Sequence, residues 1–194
     1  MIYRSYRIIA AGVVLFSMCL SWTSHAQHTL SIEVAGGASA GAYERANSGI
    51  HFAPQPTYHI TVGYAPISLL GAYVSYAQDS FGCDVGFCQD ADVSFTSTGV
   101  GAGLRLGRAQ GGGPYLRVGA VYRSLETQAG ETFAREFDPV LGVEASLGVA
   151  LSLTQWLKLI PAVRYTRYDI TEESNAHPIG VVILSGEIGF RLAF

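Results

Sequence analysis

Hydrophobic and polar residues alternate along most of this chain, and the alternation is clearest at its end. Counting back from the last residue of IGVVILSGEIGFRLAF, Phe194, Leu192, Phe190, Ile188, Gly186, Leu184 and Val182 carry no polar side chain. The interleaved set, Ala193, Arg191, Gly189, Glu187, Ser185, Ile183 and Val181, holds both charges and the hydroxyl. A period of two predicts a strand with one apolar and one polar face. The same period recurs upstream and predicts strands over Thr29–Tyr43, Thr57–Tyr64, Ser68–Gln78, Val93–Leu106 and Pro114–Leu125. A sixth strand carries Leu141, Val143, Ala145, Leu147, Val149, Leu151 and Leu153 on one face, with Glu144 and Ser146 on the other. A seventh covers Leu157–Ile170, and the eighth is the closing stretch, Ile179–Phe194.

The connections differ in length by side. Tyr64–Ser68, Gly107–Gly113 and Thr154–Trp156 are short; Tyr43–Thr57, Gln78–Val93 and Leu125–Pro139 are long, and Thr171–Pro178 is intermediate. Short turns at one end and longer loops at the other are the asymmetry of a transmembrane barrel. Alternation alone does not say which face points out, because a soluble lipocalin-type barrel turns its apolar face inward. Three features favour apolar-out. The polar set is rich in Gly, Ala and Ser, which suit a narrow interior. Tyr43, Tyr58, Tyr76 and Tyr122 lie toward the loops and Tyr64, Trp156, Phe190 and Phe194 toward the turns, as girdles at two interfaces would. The chain also ends within its last strand.

Composition narrows the class. The 194 residues suit one domain; charged residues make up 14% and there are 23 glycines. Arg4 and Arg7, the apolar run Ile8–Leu20 and the small residues of Ser24-His25-Ala26 form the pattern of a secretory signal peptide over residues 1–26. The expected cut lies between Ala26 and Gln27, leaving a barrel domain over 27–194. Net charge is −3, and losing Arg4 and Arg7 brings it to −5. A mildly acidic chain without a basic cluster is a poor nucleic-acid binder.

The mature chain resembles the small eight-stranded outer-membrane barrels of the OmpA/OmpX type. The expected fold is an all-β, eight-stranded antiparallel up-and-down transmembrane β-barrel. Phe190, Leu192 and Phe194 resemble the C-terminal insertion signal of this class, which implies the barrel-assembly machinery and periplasmic chaperones as folding partners. Outer-membrane lipid and lipopolysaccharide would surround a monomer. No peptidoglycan-binding domain is expected after the barrel, so cell-wall anchoring is not.

Candidate chemistry lies in three places. On the polar faces are Glu33, Glu144 and Glu187 with Arg105, Arg117, Arg123, Lys158, Arg164 and Arg191. Charges inside a barrel need partners, so a salt-bridge network filling the lumen is expected, with Arg164 near Glu187 and Glu33 near Arg191. Cys83 and Cys88, in the second long loop, read as a disulfide in an exported protein. That loop also carries Asp79, Asp84, Asp90 and Asp92; Glu126, Glu131, Glu136 and Asp138 follow in the next, and Glu172 and Glu173 in the last. They read as solvated loop charge, without calcium-loop spacing. The histidines His28, His51, His59 and His177, with Ser48 and Ser174 near two of them, form no His-x-Ser pair on a strand, although His59 should face inward. No cofactor, metal or catalytic residue is expected. The sequence favours a non-enzymatic structural or surface-interaction role through the loops. Passive permeation of water or very small solutes is the alternative, and a lipid-A-modifying enzyme comes third.

Overall fold

The computed structural model describes residues 28–45, 48–83, 93–108, 112–129, 133–170 and 179–194. Eight strands run in chain order: β1 Thr29–Arg45, β2 Ser48–Ile67, β3 Leu70–Cys83, β4 Val93–Gly107, β5 Gly113–Ala129, β6 Phe133–Ser152, β7 Leu157–Ile170 and β8 Ile179–Ala193. Each pairs antiparallel with the next, and β1 pairs with β8, so the sheet closes on itself. Closure leaves no unpaired edge. It ends at the chain terminus, where Leu30 and Phe194 exchange backbone hydrogen bonds of 3.2 and 2.8 Å.

The apolar set points outward. Along β6, Leu141, Val143, Leu147, Val149 and Leu151 are exposed while Glu144, Ser146 and Gly148 are buried. Leu147 is 63% exposed and its neighbour Ser146 only 2%. Tyr58, Tyr76 and Tyr122 are exposed toward the loop end, and Trp156 and Phe194 toward the turn end. An apolar belt bounded by aromatic residues around a polar interior is the arrangement of a transmembrane barrel.

The strands are longer than the period of two predicts. β1 and β2 continue to Arg45 and Ser48, β3 to Cys83, and β5 and β6 to Ala129 and Phe133, so most of the first and third long loops is hairpin and β3 takes up the start of the second. The extensions were hidden by proline and by changes of phase. Pro54 pairs with Phe81 and Thr57 with Asp79, so two residues of β2, Gln55 and Pro56, stand against one of β3. Likewise Arg123 pairs with Val140 and Leu125 with Phe137, leaving Asp138 and Pro139 against Ser124. Such bulges accommodate proline and break the simple alternation. At the turn end, Gly107 and Gly113 flank the β4–β5 connection with φ of 132° and 137°, which glycine adopts without a steric penalty.

The expected Cys83–Cys88 disulfide is not borne out. No disulfide bond is present among the described residues. Cys83 is not a free loop residue but the last residue of β3, held in the ladder opposite Phe52. Cys88 lies outside the described residues, as do residues 1–26 and the expected cut before Gln27.

Candidate functional site

Two layers of charge and one of apolar side chains fill the described lumen. An eight-stranded interior is just wide enough for side chains to meet across it, and inward glycines make the space. A Cβ on Gly148 would fall 2.6 Å from the Tyr115 hydroxyl, and one on Gly41 2.8 Å from the Phe81 ring.

The middle layer centres on Asp79, which is fully buried. Its Oδ1 accepts from Arg164 Nη2 at 2.6 Å, Thr57 Oγ1 at 2.5 Å and Ser185 Oγ at 3.2 Å. Its Oδ2 accepts from Arg123 Nη1 at 2.5 Å and Arg164 Nη1 at 3.1 Å. Arg164 also donates from Nε to Glu187 Oε1 at 2.7 Å, and His59 Nδ1 lies 3.2 Å from Glu187 Oε2. Glu144 Oε2 stands 3.6 Å from both Arg123 and Arg164. Side chains from eight residues on β2, β3, β5, β6, β7 and β8 are thereby brought together. Burying ions this deeply costs several kcal/mol each unless they are paired and hydrogen-bonded, and here most lone pairs are filled.

The layer nearer the turns centres on Glu33. Arg117 Nη2 donates to Oε1 at 2.5 Å, and Arg191 Nε and Nη2 donate to Oε2 at 2.8 and 2.6 Å. Glu33 and Arg191 are direct partners in the β1–β8 ladder. Arg117 also donates to Thr61 Oγ1 and to the Tyr115 hydroxyl, each at 2.9 Å. Arg105 lies over the ring of Tyr115, and Lys158 is buried opposite Arg191 on the neighbouring strand.

Toward the loops the filling becomes apolar. Phe81, Phe95, Leu125, Ile170, Val181 and Ile183 form a buried cluster with Tyr168, whose hydroxyl donates to Ser97 Oγ at 2.8 Å. The Phe81 and Phe95 rings stack with centroids 5.5 Å apart. Here the β6 bulge matters: it turns Phe137 toward this cluster and leaves Asp138 exposed.

All nine charges named for the polar faces, Lys158 among them, are buried side chains. Asp79 was missed, because the predicted β3 stopped at Gln78. The signal was present: Tyr73, Ser75, Ala77, Asp79 and Phe81 share one parity, and all five are buried. Of the acidic loop residues, Glu126 and Asp138 are exposed on strands, while Asp84, Asp90, Asp92, Glu131, Glu172 and Glu173 lie outside the described residues. Phe190, Leu192 and Phe194 face outward on or beside β8. His28 stacks on Tyr64, and His59 meets Glu187 and Thr61. Ser174 and His177 lie outside the described residues. No group of three or more His, Cys, Asp or Glu is placed to hold a metal ion among the described residues.

Comparison with known proteins agrees on the fold. No protein-family model matches the chain, and no curated protein matches its sequence. Solved structures do match. Neisserial surface protein A aligns with a TM-score of 0.59 at 16% identity over 85% of this chain and 97% of its own. The outer-membrane protein AlkL, solved in lipid bilayers, aligns at 0.53 and 13% identity over 90% and 93%. The attachment invasion locus protein of Yersinia pestis, in complex with the heparin analogue sucrose octasulfate, aligns at 0.50 and 12% over 84% and 99%. This chain has the fold of the small outer-membrane barrels. At these identities the likeness concerns the fold alone.

Proposed function

We propose that this protein is a non-enzymatic outer-membrane barrel that acts at its loop end, in adhesion or in maintaining the membrane. The observation that carries this reading is the filled interior. Two ion-pair layers and an apolar cluster occupy the lumen, while hairpins extend from a rigid closed sheet at the end away from the termini. Loops on a rigid scaffold vary without disturbing it and are a common place for binding. Two proteins of this fold, one named a surface protein and the other an attachment and invasion protein, the latter solved with a heparin analogue, support the same direction.

In this reading residues 1–26 direct export and are cut away before Gln27. Periplasmic chaperones and the barrel-assembly machinery deliver a monomer into lipopolysaccharide-containing membrane, with Phe190, Leu192 and Phe194 read as the insertion signal. The buried charges hold the barrel shut and fix its register. Permeation of water is the second reading. It is favoured by buried polar atoms that have no protein partner among the described residues, including Tyr73 Oη, Glu144 Oε2 and Ser146 Oγ.

The test replaces the β5–β6 hairpin tip, residues 126–136, by a short turn in cells that produce the protein. The barrel is expected to remain inserted while attachment of the cells to a cultured-cell layer, or their resistance to detergent, falls. Unchanged attachment and unchanged resistance would overturn the proposal for this hairpin.

A further inference from the structure

The layer of charge nearest the turns has an excess of cations. Arg105, Arg117 and Arg191 surround one ring, that of Tyr115, with guanidinium carbons 5.3, 5.0 and 4.8 Å from its centroid. Glu33 bonds Arg117 and Arg191. Arg105 Nη2 donates instead to the neutral carbonyl of Arg108, at 2.9 Å. Three guanidiniums thus share one carboxylate, and the ladder sets Arg105 directly opposite Arg117. Aromatic faces offset part of this charge but do not neutralise it. Three N–H donors of the cluster, Arg105 Nε, Arg117 Nε and Arg191 Nη1, are buried without a partner among the described residues. Arg117 and Arg191 are each only 2% exposed. Water would satisfy the donors, but only an anion satisfies both donors and charge.

Open space lies on the turn side of this cluster. At the turn end a cavity of about 580 Å³ is lined by Thr29, Ser152, Thr154, Gln155, Trp156 and Lys158. Lys158 pairs with Arg191 across the β7–β8 ladder. Thr29 also lines a narrow space of about 10 Å³, room for roughly one water, with Ser31, Tyr64 and Arg105. Lys158 thus lines the cavity directly, and Thr29 is common to the cavity and the narrow space beside Arg105. Guanidinium groups match tetrahedral oxyanions through paired N–H bonds. We propose that the turn-end mouth of the barrel binds a free oxyanion of the phosphate class through Arg105, with Arg191 and Lys158 beside it.

The probe is inorganic phosphate, titrated calorimetrically into the refolded protein in phosphate-free maltoside micelles, with ionic strength held constant by sodium chloride. Wild type is expected to bind saturably. Arg105→Met should weaken binding about tenfold or more, as loss of a charge-assisted hydrogen bond does, and Arg105→Lys should restore part of it. Arg105 makes none of the Glu33 or Asp79 bonds, so both variants are expected to fold. If Arg105→Met does not, the wild-type titration and Arg105→Lys decide. Absence of saturable binding in wild type, or unchanged affinity in Arg105→Met, overturns the proposal. Binding of micellar phosphatidylglycerol but not of inorganic phosphate overturns the free-anion assignment in favour of a lipid headgroup.

Discussion

At the scale of single residues, Asp79 holds the middle of the lumen together. Two arginines, a threonine and a serine from β2, β5, β7 and β8 converge on its carboxylate. Removing one partner of a buried ion pair leaves the others charged and unpaired, at roughly 3–5 kcal/mol. Asp79→Ala is therefore expected to lower unfolding stability in urea by about that amount. Asp138→Ala, at an exposed bulge, should stay within about 0.5 kcal/mol. A cost for Asp79→Ala no larger than for Asp138→Ala would mean that the cluster is not a tie. The other lumen charges were legible because each sits within an uninterrupted alternation, as Glu144 does between Val143 and Ala145. Asp79 was not, because it stands beside a run of polar and small residues that resembles a loop. Only its parity with Tyr73, Ser75 and Ala77 places it inside.

At the scale of elements, a strand has one face packed against neighbours and one facing a fluid. On β6 these are Ser146, opposite Arg117 and Arg164, and Leu147, 63% exposed. Leu147→Arg should cost about 2–4 kcal/mol in a bilayer if that face meets mid-membrane lipid. Leu147→Phe should change stability by less than about 0.5 kcal/mol, since lipid adapts to size. Ser146→Phe should cost roughly 1–3 kcal/mol or more by overpacking the lumen. Equal effects of phenylalanine at the two positions, measured by urea unfolding in lipid vesicles, would contradict the assignment of faces. On β8, Phe194→Ala is expected to reduce assembly into the membrane while export continues; normal assembly would remove Phe194 from the insertion signal. Central strand segments were legible because one lipid-facing side forces a period of two. Their outer ends were not. There Pro54, Pro56 and Pro139 sit at bulges, and the phase shift that admits them erases the pattern. The expected disulfide likewise rested on a loop that began before Cys83, whereas Cys83 is the last residue of β3.

At the scale of the whole molecule, the barrel is an inverted core. Its polar and charged side chains are inside and tied to one another, its aliphatic side chains are outside, and an apolar cluster closes the lumen toward the loops. Closure of β1 on β8 was legible from an even strand count and an alternating terminal strand. The apolar cluster was not, because Val181 and Ile183 fall in the same parity as Arg191 and Glu187, and nothing local says that a hydrophobic residue on the polar face has inward partners. Phe81, Phe95 and Leu125 supply those partners from three other strands. A lumen filled in this way should not conduct. The decisive measurement is single-channel conductance of the refolded protein in a planar bilayer, with Glu187→Ala alongside. Stable insertion with no steady conductance is expected for the wild type. A steady conductance that changes with Glu187→Ala would contradict the filled lumen and make the interior the functional site.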